Sequence, residues 1–273
     1  MVKINKLKIA KDQPLTVIAG PCVIEGKKII FQTVERLKQI SEKYGVQFIF
    51  KSSFRKANRT SLEGFTGLDF NEALGILTEV RDVYDVPVLT DVHTELEVPV
   101  VAEVADVLQI PAFLCRQTDL LLAAGRTGKA VNIKKGQFVA PEDMIHAVKK
   151  VSSTGNQNIL VTERGASFGY RNLVVDMRSL VMMEKFGYPV VYDATHSVQV
   201  PGGLGAASGG QPEFILPLAR AALATGALSA VFMEVHPNPS QALSDAASQL
   251  KLDEYEKVLE QLISLHQLLR KFN

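Results

Sequence analysis

The chain has 273 residues, 47% of them hydrophobic, enough to bury a sizeable core in one large α/β barrel or in two smaller domains. Lys and Arg number 30 against 29 Asp and Glu, a formal charge of +1, so no global field recruits nucleic acid or an anionic membrane and any basic cluster must serve a local anion. The two cysteines, Cys22 and Cys115, make no disulfide framework in so long a chain, Met1–Lys11 does not read as a signal peptide, and no stretch is apolar enough to span a bilayer; a cytoplasmic protein with reduced thiols is expected.

Short apolar runs alternate with amphipathic segments along the chain. Leu15–Ala19 leads into Gly20-Pro21-Cys22 and a helical pattern over Lys27–Tyr44. Gln47–Phe50 leads into Lys51-Ser52-Ser53, with a helix predicted over Asn71–Tyr84. Val86–Thr90 ends at Asp91-Val92-His93, and Ala105–Ile110 leads to Pro111-Ala112 and then Arg116. Ala130–Ile133 runs into Lys134-Lys135-Gly136-Gln137 ahead of a helix over Glu142–Val151. Asn158–Thr162 runs into Glu163-Arg164-Gly165, and a helix over Asp176–Phe186 follows. Pro189–Tyr192 ends at Asp193-Ala194-Thr195-His196; the stretch Pro201–Gly210, a candidate lid, then precedes a helix over Glu213–Thr225. Leu228–Met233 leads to Glu234-Val235-His236, and Leu252–Leu269 forms a last helix with Leu252, Tyr255, Leu259 and Leu262 at helical spacing.

Runs rich in Val, Ile and Leu are those of parallel strands buried on both faces. Eight strand–helix units with no repeat, low-complexity tract or linker predict a single (β/α)8 TIM barrel over residues 1–273, ahead of a doubly wound open sheet. In such barrels chemistry collects at the C-terminal ends of the strands. Here all eight ends carry polar, cationic or metal-binding residues, which ordinary solvated loops do not explain.

Two chemistries separate within that set. Lys51, Lys56, Arg59, Arg116, Lys134 and Arg164 are cations suited to phosphate or carboxylate, and so many in a neutral protein imply more than one anionic group in the substrates. Cys22, His196, Glu234 and Asp245, with His93 and His236 nearby, offer one thiolate, one imidazole and two carboxylates, a set that suits a divalent Zn, Fe or Mn ion. Their spacing matches no short zinc motif, and a packed structural thiol is the competing account of Cys22.

The stretches Ala19-Gly-Pro-Cys22, Lys51-Ser-Ser-Phe-Arg-Lys-Ala-Asn-Arg-Thr-Ser61, Thr90-Asp-Val-His93 and Gln109-Ile-Pro-Ala-Phe-Leu-Cys-Arg-Gln-Thr118 together resemble the 3-deoxy-D-manno-octulosonate 8-phosphate synthases. So do Val131-Asn-Ile-Lys-Lys-Gly-Gln-Phe138, Thr162-Glu-Arg-Gly165, Asp193-Ala-Thr-His-Ser197, Met233-Glu-Val-His-Pro237 and Ala242-Leu-Ser-Asp245. The resemblance runs in order from about residue 15 to 250. It implies a cytoplasmic homotetramer that condenses phosphoenolpyruvate with arabinose 5-phosphate for lipopolysaccharide biosynthesis. It further implies that Lys134 and Arg164 hold the phosphoenolpyruvate phosphate with Ala112 and Gln137, and that Lys51, Ser53 and Lys56 face its carboxylate and the reacting centre. Asn58, Arg59 and Thr60 would bind the sugar phosphate, Asp91 would touch the sugar hydroxyls, and Arg116 would reach the sugar phosphate of a neighbouring subunit. Cys22, His196, Glu234 and Asp245 would be the metal ligands.

The chain departs from the family pattern in places. Arg55 stands where members commonly carry Asp, Thr60 replaces a common Ser, and Gly205–Gly210 lacks an Asp often seen after the first Gly. Cys22 marks the metal-dependent branch, since the metal-free branch carries Asn there. The sister 3-deoxy-D-arabino-heptulosonate 7-phosphate synthases, which take erythrose 4-phosphate, typically read Lys-Pro-Arg-Thr at Lys56-Ala57-Asn58-Arg59. A metal-dependent class II aldolase would want a His-rich site, and a non-catalytic sugar-phosphate sensor would lack a cation or ligand at some strand end.

Overall fold

The computed structural model describes residues 1–59, 61–170, 172–203 and 208–272. Its centre is a closed ring of parallel strands: β1 (Thr16–Gly20), β2 (Gln47–Lys51), β3 (Val88–Asp91), β4 (Val107–Ile110), β5 (Ala130–Lys134), β6 (Ile159–Glu163), β7 (Val190–Asp193) and β8 (Leu228–His236). Each strand pairs with the next, and β8 returns to pair with β1 from Ala230↔Thr16 to Glu234↔Gly20, which closes the barrel. Outside lie α1 (Lys27–Tyr44), α2 (Phe70–Tyr84), α3 (Val98–Val104), α4 (Thr118–Arg126), α5 (Met144–Ser152), α6 (Arg178–Glu184), α7 (Ile215–Ala224) and α8 (Leu252–Leu269). The expected (β/α)8 TIM barrel is therefore the observed fold.

The two-residue period of a strand sorts the side chains. Val17, Phe48, Phe50, Leu108, Val131, Val161 and Tyr192 face outward and pack with helix residues such as Leu37, Leu77, Leu121 and Leu259. Ile18, Ile49, Leu89, Val107, Ala130, Leu160, Val191, Ala230 and Phe232 form a second apolar cluster. Two residues further along their strands, these positions become Lys51, Asp91, Gln109, Asn132, Thr162, Asp193 and Glu234. The barrel interior is thus oily at its N-terminal end and polar at its C-terminal end.

Most observed strands run a residue past the apolar runs. Lys51, Asp91, Lys134, Glu163 and Asp193 are the last residues of strands and belong to no loop. Reading hydrophobicity alone ends a strand at its first polar residue, although the ladder continues while that side chain has partners. α3 and α4, seven and nine residues long, are not among the helical segments that the pattern predicts, although α5 and α6, of nine and seven residues, are.

A hairpin of Val2–Ile4 with Leu7–Ile9 precedes the barrel and turns through Asn5 at φ 49, a left-handed conformation that Asn tolerates. Its buried Val2, Ile4 and Ile9 join the interior cluster at the strands' N-terminal ends. Gln47 grips it there, accepting from Lys8 N and donating to Lys8 O, both at 2.9 Å. The hairpin closes the oily end, and chemistry is left to the other.

Candidate active site

The polar end of the barrel opens into a cavity of about 1070 Å³, lined among others by Lys51, Lys56, Asp91, Lys134, Arg164 and His196. The strand ends crowd closely at this point. A Cβ on Gly20 would lie 2.0 Å from Lys51 O, so only glycine lets β1 pass β2 on its way to Cys22. Phe232 of β8 provides the floor, with the Lys134 and Lys51 ammonium groups 3.9 and 5.6 Å from its ring centroid.

Buried cations and carboxylates interlock above that floor. Lys51 Nζ donates to Glu234 Oε1 at 2.7 Å and to Cys22 O at 2.9 Å. Lys56 Nζ lies 3.8 Å from both Glu234 Oε1 and Asp245 Oδ2. Lys134 Nζ donates to Asp193 Oδ2 at 2.6 Å, and His196 Nδ1 lies 2.7 Å from the same oxygen. Asp193 also takes backbone donors from Thr195 and His196, which folds the turn carrying the histidine. Asp91 accepts from Ser53 Oγ at 2.6 Å and from Gln109, whose own oxygen accepts from Asn132 at 2.9 Å.

These contacts decide the charge states. Burial alone would raise the Asp91 carboxyl, but Lys51, Lys56 and His93 outweigh it and hold its pKa down to about 2. Burial likewise opposes ionisation of Glu234, and Lys51 with His196 and Lys56 drives its pKa below the ordinary range. Burial pushes the Lys134 ammonium downward, with Asp193 opposing. Burial also pushes the Cys22 thiol well up, and Asp245 and Glu234 push it further.

Cys22, Glu234 and Asp245 bring their ligand atoms within 4.8 Å of one another, a group that could hold a metal ion. Cys22 Sγ is 3.1 Å from Asp245 Oδ2. His196 lies at the edge of this group, with Nε2 3.5 Å from Glu234 Oε1 and Nδ1 turned to Asp193. That is the orientation in which a carboxylate fixes the tautomer of a ligating imidazole. The donor set fits a divalent transition ion, because Glu234 Oε2 is buried without a hydrogen-bond partner among the described residues. Lys56 and Lys51 lower the pKa of the Cys22 thiol but leave it well above its usual value, so a bound divalent cation would be what ionises it.

The remaining residues named from the sequence divide by position. Asn58, Arg59, Ala112 and Gln137 line the same cavity, while Cys22, Ser53 and Glu234 lie buried and are not part of its lining. Arg164 is buried, gives Nη2 to Gln199 Oε1 at 3.0 Å, and leaves Nη1 without a partner among the described residues; Gln137 Oε1 is unpaired in the same way. Arg116 is exposed and stands outside this cavity, beside a separate hollow of about 290 Å³ with Cys115, His146 and Lys150. Thr60, and 204–207 of the candidate lid, lie outside the described residues.

The sequence pattern assigns no role to several contributors, among them Asp193, Gln199 and Gln249, nor to Gln109 and Asn132 behind Asp91. Asp193 orients Lys134 and His196, Gln199 holds Arg164, and Gln249 accepts from Cys22 N at 3.2 Å. Asp193 had a signal, being a charged residue ending an apolar run beside a candidate ligand. Gln199 and Gln249 had none, since a lone glutamine resembles any surface residue.

The fold, with cations and a thiol–carboxylate cluster gathered at its C-terminal mouth, is that of a (β/α)8-barrel enzyme. The chain belongs to the DAHP synthetase I family, whose model matches residues 1–271. It is 54% identical over 268 residues to a 2-dehydro-3-deoxyphosphooctonate aldolase of Cyanothece sp., covering 97% of this chain and 98% of that one. Proteins of the same name from Trichlorobacter lovleyi and Dichelobacter nodosus are each 53% identical over 269 residues, with 98% of this chain covered and 98% and 97% of theirs. Among the described residues no helix is long and apolar enough to cross a membrane.

Proposed function

We propose that this chain condenses phosphoenolpyruvate with D-arabinose 5-phosphate and water, giving 3-deoxy-D-manno-octulosonate 8-phosphate and inorganic phosphate for lipopolysaccharide biosynthesis. The observation that carries the reading is the gathering of Lys51, Lys56, Lys134 and Arg164 around one mouth, in a chain whose near full-length relatives bear the name of that activity. Residues 1–273 act as one catalytic domain, in the cytoplasm.

In this reading Lys134 and the unpaired Nη1 of Arg164 take the phosphate of phosphoenolpyruvate, aided by Gln137 and the backbone near Ala112. Lys51, Lys56 and Ser53 face its carboxylate and the reacting centre. Asn58, Arg59 and Thr60 take the sugar phosphate, and Asp91, kept ionised, accepts from the sugar hydroxyls. Buried cations let two anionic substrates sit together and stabilise the charge that develops between them. The C3 carbon of the enol bonds to the aldehyde carbon, whose oxygen takes a proton. Water adds at C2 and loses a proton, and phosphate leaves with the C2–O bond. Cys22, His196, Glu234 and Asp245 would hold a divalent Zn, Fe or Mn ion, which when bound supplies Lewis acidity to the aldehyde oxygen or to water.

Lys56-Ala57-Asn58-Arg59 favours the five-carbon sugar over erythrose 4-phosphate, because the four-carbon enzymes typically carry Lys-Pro-Arg-Thr there. Phosphate release by the purified protein should be substantial with arabinose 5-phosphate and small with erythrose 4-phosphate. Equal or faster turnover of the four-carbon sugar would replace this reading with that of a heptulosonate 7-phosphate synthase.

A further inference from the structure

The segment between β2 and α2 presents Lys56, Asn58 and Arg59 to the cavity, and its own fastening is visible. Lys56 N donates to Thr66 O at 2.6 Å, so the chain doubles back on itself. Gly67 adopts φ 126 against the start of the segment, where a Cβ would lie 2.6 Å from Phe54 O and 3.1 Å from Arg55 Cα. Phe54 is buried and meets the rings of Phe70 and His93 edge-on, at 5.3 and 5.5 Å.

Between these anchors Arg55 and Lys56 make different attachments. Lys56 reaches Glu234 and Asp245 in the site, whereas Arg55 sets Nη2 2.5 Å from Glu97 Oε1. Glu97 Oε2 accepts from His93 N at 2.8 Å and lies 3.2 Å from His93 Nδ1. Glu97 therefore ties the segment after β2 to the turn after β3. Arg55 and His93 both line the cavity; the Arg55 head gives Nη2 to Glu97 and leaves Nε buried without a partner among the described residues.

We infer that Arg55 is a positioning residue, acting through Glu97 to hold the Lys56–Arg59 segment for the incoming aldose phosphate and so to set affinity for that substrate. The identity of the substrate rests on the function proposed above; the fastening of the segment does not. The test compares Arg55→Glu, Glu97→Arg and the charge-swapped double variant with the wild type. Two readouts are taken: backbone amide exchange over 54–67 in the substrate-free protein, and steady-state KM for each substrate. Each single variant should exchange faster over 54–67 and raise the KM for arabinose 5-phosphate roughly three- to tenfold, as befits a partly exposed pair. The KM for phosphoenolpyruvate and kcat should change less, by no more than about threefold, since Lys134 and Arg164 are untouched and Lys56 keeps its own ties to Glu234 and Asp245. The double variant should recover both readouts in part, because the ion pair is restored while the acceptor for His93 N is lost. Failure of the swap to recover them even in part, or single variants that exchange like the wild type, would overturn the inference. Should the wild type release no phosphate with arabinose 5-phosphate, the functional reading fails, and amide exchange still decides the fastening.

Discussion

Cys22 has no reason to be charged on its own. It is fully buried, with Asp245 and Glu234 beside it, and all three features raise its pKa. Lys56 and Lys51 oppose that rise without reversing it, so a thiolate here needs a further cation; as a neutral thiol, Cys22 donates to Asp245 Oδ2 at 3.1 Å. Cys22→Ser should therefore fold normally but bind Zn, Mn or Fe at least about 100-fold more weakly by equilibrium dialysis, and be nearly inactive. Cys22→Asn, which copies the metal-free branch, should lose metal yet keep some turnover that a chelator does not inhibit, because the cations remain. Full activity of metal-stripped wild type, checked by elemental analysis, would return Cys22 to the status of a packed core residue. Asp91 makes a different prediction at the same scale. Its folded pKa of about 2 lies below the ordinary value of 3.8, so the unfolded chain binds the proton first. Its stabilisation is complete above about pH 4 and is lost as the pH falls through 2, an interval worth roughly 2 kcal/mol. Urea unfolding of wild type and Asp91→Asn across that range should show this share of the acid sensitivity vanish in the variant; parallel curves would remove Asp91 as its source.

The N-terminal hairpin separates stability from catalysis at the scale of elements. Ile9 is fully buried in the interior cluster with Ile18, Ile49 and Leu160, at the end of the barrel remote from the cations. Ile9→Ala should cost about 2–4 kcal/mol in urea unfolding, the usual cost of such a cavity, while kcat and both KM values stay near wild type. A kinetic effect without loss of stability would mean that the base of the barrel communicates with its mouth. This hairpin was invisible in the sequence because its strands are three residues each, too short for alternation to register. The barrel strands were visible because burial on both faces makes them continuously apolar, and α1 and α8 because 18 residues give a sustained helical period. The residues at the mouth were legible at several places where a charged residue ends an apolar run, as with Lys51, Asp91 and Lys134, although Asp193 carries the same signal and is given no role. The site was illegible where a distant loop supplies a polar partner, as with Gln249 on Cys22 and Glu97 on Arg55.

The (β/α)8 ring gathers the residues of one site from its own strands, and one candidate escapes that rule. Arg116 follows β4, as Ala112 does, yet it is exposed and faces a separate hollow with His146 and Lys150. An exposed arginine outside its own mouth can serve an anion only if another molecule brings that anion to it. The homotetramer that the family resemblance implies would supply the means, with Arg116 of one subunit completing the sugar-phosphate site of the next. Arg116→Ala should then raise the KM for arabinose 5-phosphate by roughly 10- to 100-fold, matching about 1.5–3 kcal/mol for one charge-assisted contact, with little change in the KM for phosphoenolpyruvate. The two arrangements differ most clearly in mixed oligomers. If Arg116 acts across an interface, Arg116→Ala subunits still carry an intact mouth, and Lys134→Ala subunits still carry a working Arg116. Co-refolding the two should then produce sites in which an intact mouth meets an intact arginine, and activity should exceed the sum of the separate variants. Mixtures no more active than their components, in assemblies shown by light scattering to contain several subunits, would confine each site to a single chain and leave Arg116 a surface charge.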